Sequence, residues 1–219
     1  MDKARIAFRF GHYGDCYHGS QVQPDVPTVQ GEFMHIFKKK LKWTKERMPV
    51  PMASRTDSGV HVRQNGGFID IDQNRWDAMG EIGFMKAVGH QIPDSITLID
   101  AMQVDGEWSP RRALHRTYRY RLECMEGWVD PNPEDFEHLC SLFEGEHDWD
   151  NFCRRETNRS TTRVVESCRP WVNSGRIVGF EIVGEAFIWN QVRRIANAIF
   201  AVTTNYESID KVIEARDNP

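Results

Sequence analysis

The pattern of apolar and polar residues predicts six strands in this chain. In "ARIAFRF" (4–10) apolar side chains at every second position alternate with Arg5, Ala7 and Arg9, as is typical of a strand with one buried face. "TYRYRLEC" (117–124) likewise places its two tyrosines on one face and its arginines on the other. The other strands are expected at 66–72, 96–104, 161–168 and 176–184.

Apolar residues at helical spacing predict four helices. Thr28 is a suitable N-cap for a helix in "VPTVQGEFMHIFKKKL", whose apolar residues share one face with the lysines off it. In "NPEDFEHLCSLFEG", Asn132 can cap and Pro133 takes the first helical position, with acids in the first turn. The remaining helices are expected at 75–88 and 188–202.

The order of these elements predicts an α+β fold in two halves. Each half contains strands that can pair antiparallel and helices that cover one face of the resulting sheet. The turn near Gly106 gives an N-terminal half at 1–105, which carries "SRTDSGVHV", and a C-terminal half at 106–219.

Composition narrows the class of protein. The 219 residues carry a net charge of −4 and contain no apolar run long enough for a membrane span. The N-terminus lacks a secretory pattern, so a cytoplasmic protein without membrane contact is expected. Five scattered cysteines without CxxC spacing argue against a disulfide framework and a zinc ribbon, and predict reduced thiols.

Charge is sorted along the chain. "RRALHRTYRYR" (111–121) holds five arginines and no acid, whereas residues 123–150 hold ten acids and neither lysine nor arginine. A locally basic surface can bind phosphates even when the total charge is negative, although a solvated strand face explains the pattern equally well. The candidate phosphate contacts are Arg111, Arg112, Arg116, Arg119, Arg121, Lys38, Lys39 and Lys40.

"SRTDSGVHV" (54–62) is the segment with the most evident chemistry. Asp57 has no other acid in this stretch, which excludes a locally paired carboxylate of the glycosidase type. A lone aspartate can act as a nucleophile if it stays ionised. It can also simply form an Asx-turn with the backbone at Gly59. The segment alone leaves both interpretations open.

Five segments in this order resemble the tRNA pseudouridine synthase A family, over nearly the whole chain from about residue 8 to 195. RTDxGVH is the most specific of the shared patterns. The sequence departs from the family at "FGHYGDC", where His12 and Tyr13 replace an expected Tyr and Asp. The matching segments are "YHGSQVQPDVPTVQGEF" (17–33), "SRTDSGVHV" (54–62), "RTYRY" (116–120), "GEHDWDNF" (145–152) and "FIWNQVRRI" (187–195).

The resemblance implies an enzyme that isomerises uridine to pseudouridine without cofactor or metal. It assigns Asp57 as the catalytic nucleophile and Arg193 as the basic residue that pairs with it. Tyr118 corresponds to the residue that packs on the target base and assists proton transfer. Arg55 corresponds to the arginine that enters the RNA stack where the target nucleotide leaves.

The resemblance further implies a substrate and an assembly. The expected substrate is tRNA, at positions 38 to 40 of the anticodon stem-loop, bound by a homodimer. The two halves are expected to be ferredoxin-like or RNA-recognition-like units, with mainly antiparallel sheets joined around a central catalytic cleft. Possible further RNA contacts are Gln21, Gln23, His61 and Arg116.

Two rival functions remain at this point. Family members continue to a GLxL strand that this sequence lacks, so one rival is a catalytically silent tRNA-binding or RNA-folding module. The other is an acid hydrolase of a sugar or phosphate substrate, which requires a second carboxylate close to Asp57 or a bound metal.

Overall fold

A computed structural model describes residues 2–44, 50–157 and 159–219. The chain divides after Ala113 into two compact units, termed here the N-terminal unit and the C-terminal unit. Within the described ranges, no helix is both long and apolar enough to cross a bilayer.

The described part of the N-terminal unit contains a three-stranded sheet and two α-helices. The sheet order is β2-β1-β3, and both strand pairs are antiparallel. The central strand β1 therefore has a hydrogen-bonded neighbour on each side. The elements in chain order are β1 (Lys3–His12), α1 (Val29–His35), β2 (Val62–Asp72), α2 (Gln73–Gly89) and β3 (Ile96–Val104).

Helix α1 begins where the sequence predicts it. The side-chain oxygen of Thr28 accepts a hydrogen bond from the backbone N–H of Gly31, which satisfies one free donor of the first turn. The helix continues as a π-helical turn over Ile36–Lys40. The lysines of that turn stay outside the core, while Ile36 and Phe37 are buried.

Phenylalanines dominate the core of the N-terminal unit. Phe33 of α1 lies between two residues of β1, with ring centroids 5.1 Å from Phe8 and 4.8 Å from Phe10. Phe84 of α2 packs on the same group, 6.1 Å from Phe8. Tilted and edge-on pairs at these distances add to the hydrophobic gain from burial. The core thus holds both helices on one face of the sheet.

In the C-terminal unit, the residues that the structure describes form a four-stranded sheet and three α-helices. The sheet order is β4-β7-β6-β5, and all pairs are antiparallel. The elements in chain order are β4 (Arg116–Arg121), α3 (Pro133–Ser141), β5 (Gly145–Asp148), β6 (Thr162–Asn173), β7 (Arg176–Gly184), α4 (Gln191–Thr203) and α5 (Ile209–Asp217).

The helices of this unit are held by a cap at the start of α3 and by apolar packing of α4 on the sheet. Asn132 caps α3 by accepting hydrogen bonds from the backbone N–H groups of Glu134 and Asp135. Ile195 and Ile199 of α4 are fully buried in the same core as Phe180 of β7. The buried face of α4 fixes the direction in which its first turn projects.

The α+β prediction is confirmed, with two antiparallel sheets in separate units. Strands β3 and β7 have the predicted ends, and the other predicted elements differ by a few residues. Strand β5 and helix α5 were not predicted. "GEHD" is too short and polar to show alternation, and "IDKVIEARD" buries only Val212 fully, so neither has a strong pattern.

Candidate active site

The RTD loop, defined as residues 54–61, connects an extended segment to β2. Met52 bridges Gly67 of β2, and the N–H of Ala53 donates to the carbonyl of Gly66 at 2.9 Å. Buried Asn65 then binds Ser54 twice. Its Oδ1 accepts from the Ser54 N–H at 3.2 Å, and its Nδ2 donates to the Ser54 carbonyl at 2.9 Å. The start of the loop is therefore tied to the sheet.

Ser20 holds the residue that precedes Asp57. Its Oγ accepts a hydrogen bond from the N–H of Thr56 at 2.8 Å, and its own N–H donates to the Thr56 carbonyl at 3.0 Å. Ser20 is 1% exposed, so these bonds are shielded from water. The backbone on the N-terminal side of Asp57 is consequently fixed by "YHGSQ".

Two glycines allow the backbone of residues 14 and 19 to lie directly against the backbone of the RTD loop. A Cβ on Gly19, whose φ is +97°, would lie 2.9 Å from the carbonyl oxygen of Thr56. A Cβ on Gly14 would lie 2.4 Å from the carbonyl carbon of Val60. Any side chain at either position would push the RTD loop away. The loop rests directly on backbone.

Asp57 and Arg55 present exposed side chains on this fixed loop. The Asp57 carbonyl accepts from the N–H of Val60 at 3.3 Å, closing a turn in which Gly59 has a φ of +79°. Gly59 supplies the left-handed torsion that this turn requires. An exposed carboxylate on a backbone held from both sides is a suitable arrangement for a nucleophile.

The possible RNA contacts in this unit differ in their own partners. Gln23 donates from Nε2 to the carbonyl of His18 at 2.6 Å, so it braces its own loop. Gln21 is exposed. His61 accepts from the Gly14 N–H at 3.4 Å through Nδ1, and its Nε2 lies 3.6 Å from Asp15.

Tyr118 lies on β4, in the C-terminal unit. Its side chain is half-buried against the core, and the ring of Phe187 meets it edge-on at 5.3 Å. Two positions earlier on the same face, the Arg116 guanidinium donates to the backbone carbonyl of Glu185. Arg193 is exposed in the first turn of α4. The loop between β7 and α4 therefore contacts Tyr118 through Phe187 and Arg116 through Glu185. It leads directly into the helical turn that carries Arg193.

The basic stretch does not form an acid-free surface. Arg119 pairs with Glu181 at 2.6 Å, because β7 lies beside β4 in the sheet. Arg121 pairs with Glu123 at 3.2 Å. Chain order separated the charges of this region, whereas strand pairing brings opposite charges together. Arg119 and Arg121 each have a carboxylate partner, and their role as phosphate contacts stays a prediction.

Sequence reasoning missed Ser20 and Asn65. Both are small polar residues whose partners lie 36 and 11 positions away along the chain, so local pattern gives no sign of the contact. A usable signal was their placement, since Ser20 follows Gly19 inside one matching segment and Asn65 directly precedes two glycines.

Comparison with known proteins identifies the family. A family model described as tRNA pseudouridine synthase matches residues 139–219. A protein named tRNA pseudouridine synthase A from Methanopyrus kandleri is 33% identical over 199 residues, which cover 90% of this chain and 71% of that protein. The protein of the same name from Archaeoglobus fulgidus is 30% identical over 208 residues, covering 94% and 72% respectively. The one from Methanosarcina barkeri is 26% identical over 96% of this chain and 75% of its own length. A one-third identity that extends through both units shows that this chain belongs to the tRNA pseudouridine synthase A family.

Proposed function

We propose that the protein isomerises uridine to pseudouridine in the anticodon stem-loop of tRNA, at positions 38 to 40, with Asp57 as the nucleophile. The observation that carries the proposal is the exposed Asp57 carboxylate on a loop whose backbone Ser20 and Asn65 hold in place. Family membership supports the reaction and the substrate class.

The reaction replaces one bond to the sugar by another. The bond from C1′ to N1 breaks, the base turns, and a bond from C1′ to C5 forms. The proton on C5 then leaves and N1 gains one, so neither oxidant nor reductant is needed. Asp57 either adds covalently during this exchange or removes the 2′ proton to give a glycal. Both routes require an ionised carboxylate and exclusion of water from the sugar.

Three further residues have assigned roles in the proposal. Tyr118 packs on the target base and assists the transfer of the C5 proton, which suits its half-buried ring. Arg193 supplies the cation that steadies Asp57, since an opposite charge favours the ionised form of a carboxylate. Arg55 fills the space that the flipped nucleotide leaves. Unstacking costs a few kcal/mol, and stacking on an aromatic ring returns about 1–3 kcal/mol.

The assembly and compartment belong to the same proposal. We infer a cytoplasmic homodimer that binds tRNA through the exposed arginines and lysines, with Gln21 among the contacts. Light scattering of the purified protein, alone and with tRNA, tests the dimer. A monomeric mass at micromolar concentration, in both samples, would contradict it.

The decisive experiment measures product and binding separately. An unmodified tRNA transcript is incubated with the protein, and pseudouridine is located by carbodiimide-stop sequencing. The wild type is expected to give a stop within positions 38 to 40. Asp57→Asn, which keeps the shape and removes the charge, is expected to give none while its tRNA affinity stays within about threefold.

Two results would overturn the assignment. Turnover by Asp57→Asn would remove Asp57 from its role as nucleophile. Absence of product from the wild type, with RNA binding retained, would replace the enzyme by a silent RNA-binding module.

A further inference from the structure

Trp189, four residues before the predicted substrate contact Arg193, exposes a large aromatic ring. It lies in the loop between β7 and α4, with 44% of its surface exposed, while its neighbour Ile188 is buried. The loop thus turns one apolar side chain into the core and leaves the larger one in water. Tryptophan is usually highly buried, so this exposure calls for a reason.

Arg154 covers one face of that ring. Its guanidinium carbon lies 4.0 Å from the ring centroid of Trp189, and its backbone N–H donates to the Trp189 carbonyl at 2.8 Å. Arg154 and Trp189 are therefore in contact through both their backbones and their side chains. A cation stacked in this way holds the ring in one orientation before any ligand arrives.

The charge around the ring favours an anionic partner. Within the described ranges, no carboxylate forms a salt bridge with Arg154. The segment "RRETNRSTTR" (154–163) carries four arginines and one acid. Arg155 and Arg159 do form ion pairs, but their side chains are 70% and 68% exposed. Arg155 holds Asp150 through two hydrogen bonds, whereas the pair of Arg159 with Glu156 is exposed on both sides and contributes little, so phosphate groups can compete for Arg159.

Trp189 lies close along the chain to two residues near the proposed substrate, Phe187 and Arg193. Phe187, two residues before Trp189, meets Tyr118 edge-on at 5.3 Å, and Arg193 follows Trp189 by four residues. A strand of RNA that reaches Tyr118 and Arg193 therefore passes close to the loop that carries Trp189.

We propose that Trp189 and Arg154 form a stacking platform for one unpaired nucleobase of the RNA substrate, distinct from the target uridine. The platform rests on the proposed RNA-modifying function. A base sits on the open face of the indole, and Arg154 supplies positive charge from the other face. Stacking is tolerant of base identity, since every base has a π-face. The platform contributes affinity and orientation and takes no part in bond exchange.

The test compares two replacements of the same ring. Trp189→Leu keeps apolar bulk and removes the π-face, whereas Trp189→Phe keeps a smaller aromatic ring. Tyr206→Leu is the matched control, because Tyr206 is another exposed aromatic residue of the C-terminal unit, at 77%. Affinity for the tRNA transcript is measured by filter binding. Circular dichroism melts show that each variant folds.

The expected result is a loss of affinity of about tenfold or more in Trp189→Leu, and of about threefold or less in Trp189→Phe. Tyr206→Leu is expected to bind as the wild type does. Arg154→Gln is expected to weaken binding and to reduce its dependence on salt, since a cation near phosphate is removed.

The outcomes separate this proposal from the proposed function. Weaker binding by Trp189→Leu supports the platform even if the wild type makes no pseudouridine. Unchanged binding by folded Trp189→Leu overturns the platform even if the wild type is fully active. A change in oligomeric mass without a change in RNA affinity makes Trp189 a protein contact, and overturns it as well.

Discussion

The hydroxyl oxygen of Ser20 accepts a hydrogen bond from the backbone N–H of Thr56 at 2.8 Å, one residue before Asp57. Because Ser20 is almost fully buried, its removal leaves this N–H without its partner, at a cost of about 1–3 kcal/mol. The cost falls on the backbone that orients the proposed nucleophile. Ser20 is thus a positioning residue, and it does not itself reach the substrate.

We therefore expect Ser20→Ala to lower kcat for pseudouridine formation by about tenfold or more, with a much smaller change in KM. Single-turnover kinetics on a tRNA transcript measure the effect. Ser141→Ala is the control, because Ser141 donates only to the carbonyl of His138 in its own helix. An unchanged kcat in folded Ser20→Ala would show that the loop keeps its position without this bond.

His12 makes the stability of the N-terminal unit depend on pH. It is 6% exposed, stacks on the ring of Phe10 and meets the ring of Tyr17 edge-on. Burial, with a smaller contribution from the charge of His61, lowers the pKa of His12 to about 4. An ordinary histidine has a pKa of about 6.5, so the unfolded chain binds a proton at higher pH than the folded one.

The contribution of neutral His12 to the free energy of unfolding is therefore fully present above about pH 6.5, and about 3 kcal/mol of it is lost as the pH drops toward 4. Urea denaturation at pH 7.0, 5.5 and 4.5 measures this slope. Carboxylates also titrate near the lower end, so the comparison is with His12→Gln, which cannot bind the proton. Equal slopes for the two proteins between pH 7.0 and 5.5 would contradict the assignment to His12.

Gly179 allows β4 and β7 to pair. A Cβ at this position would lie 1.9 Å from the carbonyl oxygen of Tyr120, and the φ of +157° is unfavourable for other residues. Gly179→Ala is expected to destabilise the protein by more than about 2 kcal/mol, because backbone on both strands must move. Thermal unfolding followed by circular dichroism provides the measurement.

Gly175→Ala provides the matched control for this strain. Gly175 also has a positive φ, +79°, but a Cβ there meets nothing within 4 Å. Its replacement therefore tests the backbone torsion alone and is expected to cost about 1 kcal/mol. Similar losses for the two variants would mean that the contact with Tyr120 relaxes without cost.

The sequence was most informative where patterns were local. Strand β3 was recognised from its own residues, and the cap of α3 from Asn132–Pro133 directly before that helix. The π-helical turn at Ile36–Lys40 has no comparable signature. Other features depend on contacts between segments far apart in the chain, such as the ion pair of Arg119 with Glu181, and these have no local signature.

The candidate site shows the same division. The RTD motif, taken together with four other matching segments, was sufficient to select Asp57, whose role stays a prediction until turnover is measured. The support beneath the RTD loop was not visible in the sequence, because Ser20 and Asn65 act through backbone atoms of residues far along the chain. Hydrogen bonds to backbone depend on position more than on residue type, which limits what a pattern can reveal.

The seating of the RTD loop on Gly14 and Gly19 has a consequence for protein engineering. The nine residues "SRTDSGVHV" cannot be transferred to another protein on their own. A host protein with larger side chains in place of the two glycines would hold Asp57 in a different position. A transplanted loop would also need the glycine-bearing segment of residues 14–20 and Asn65, which holds the backbone of Ser54.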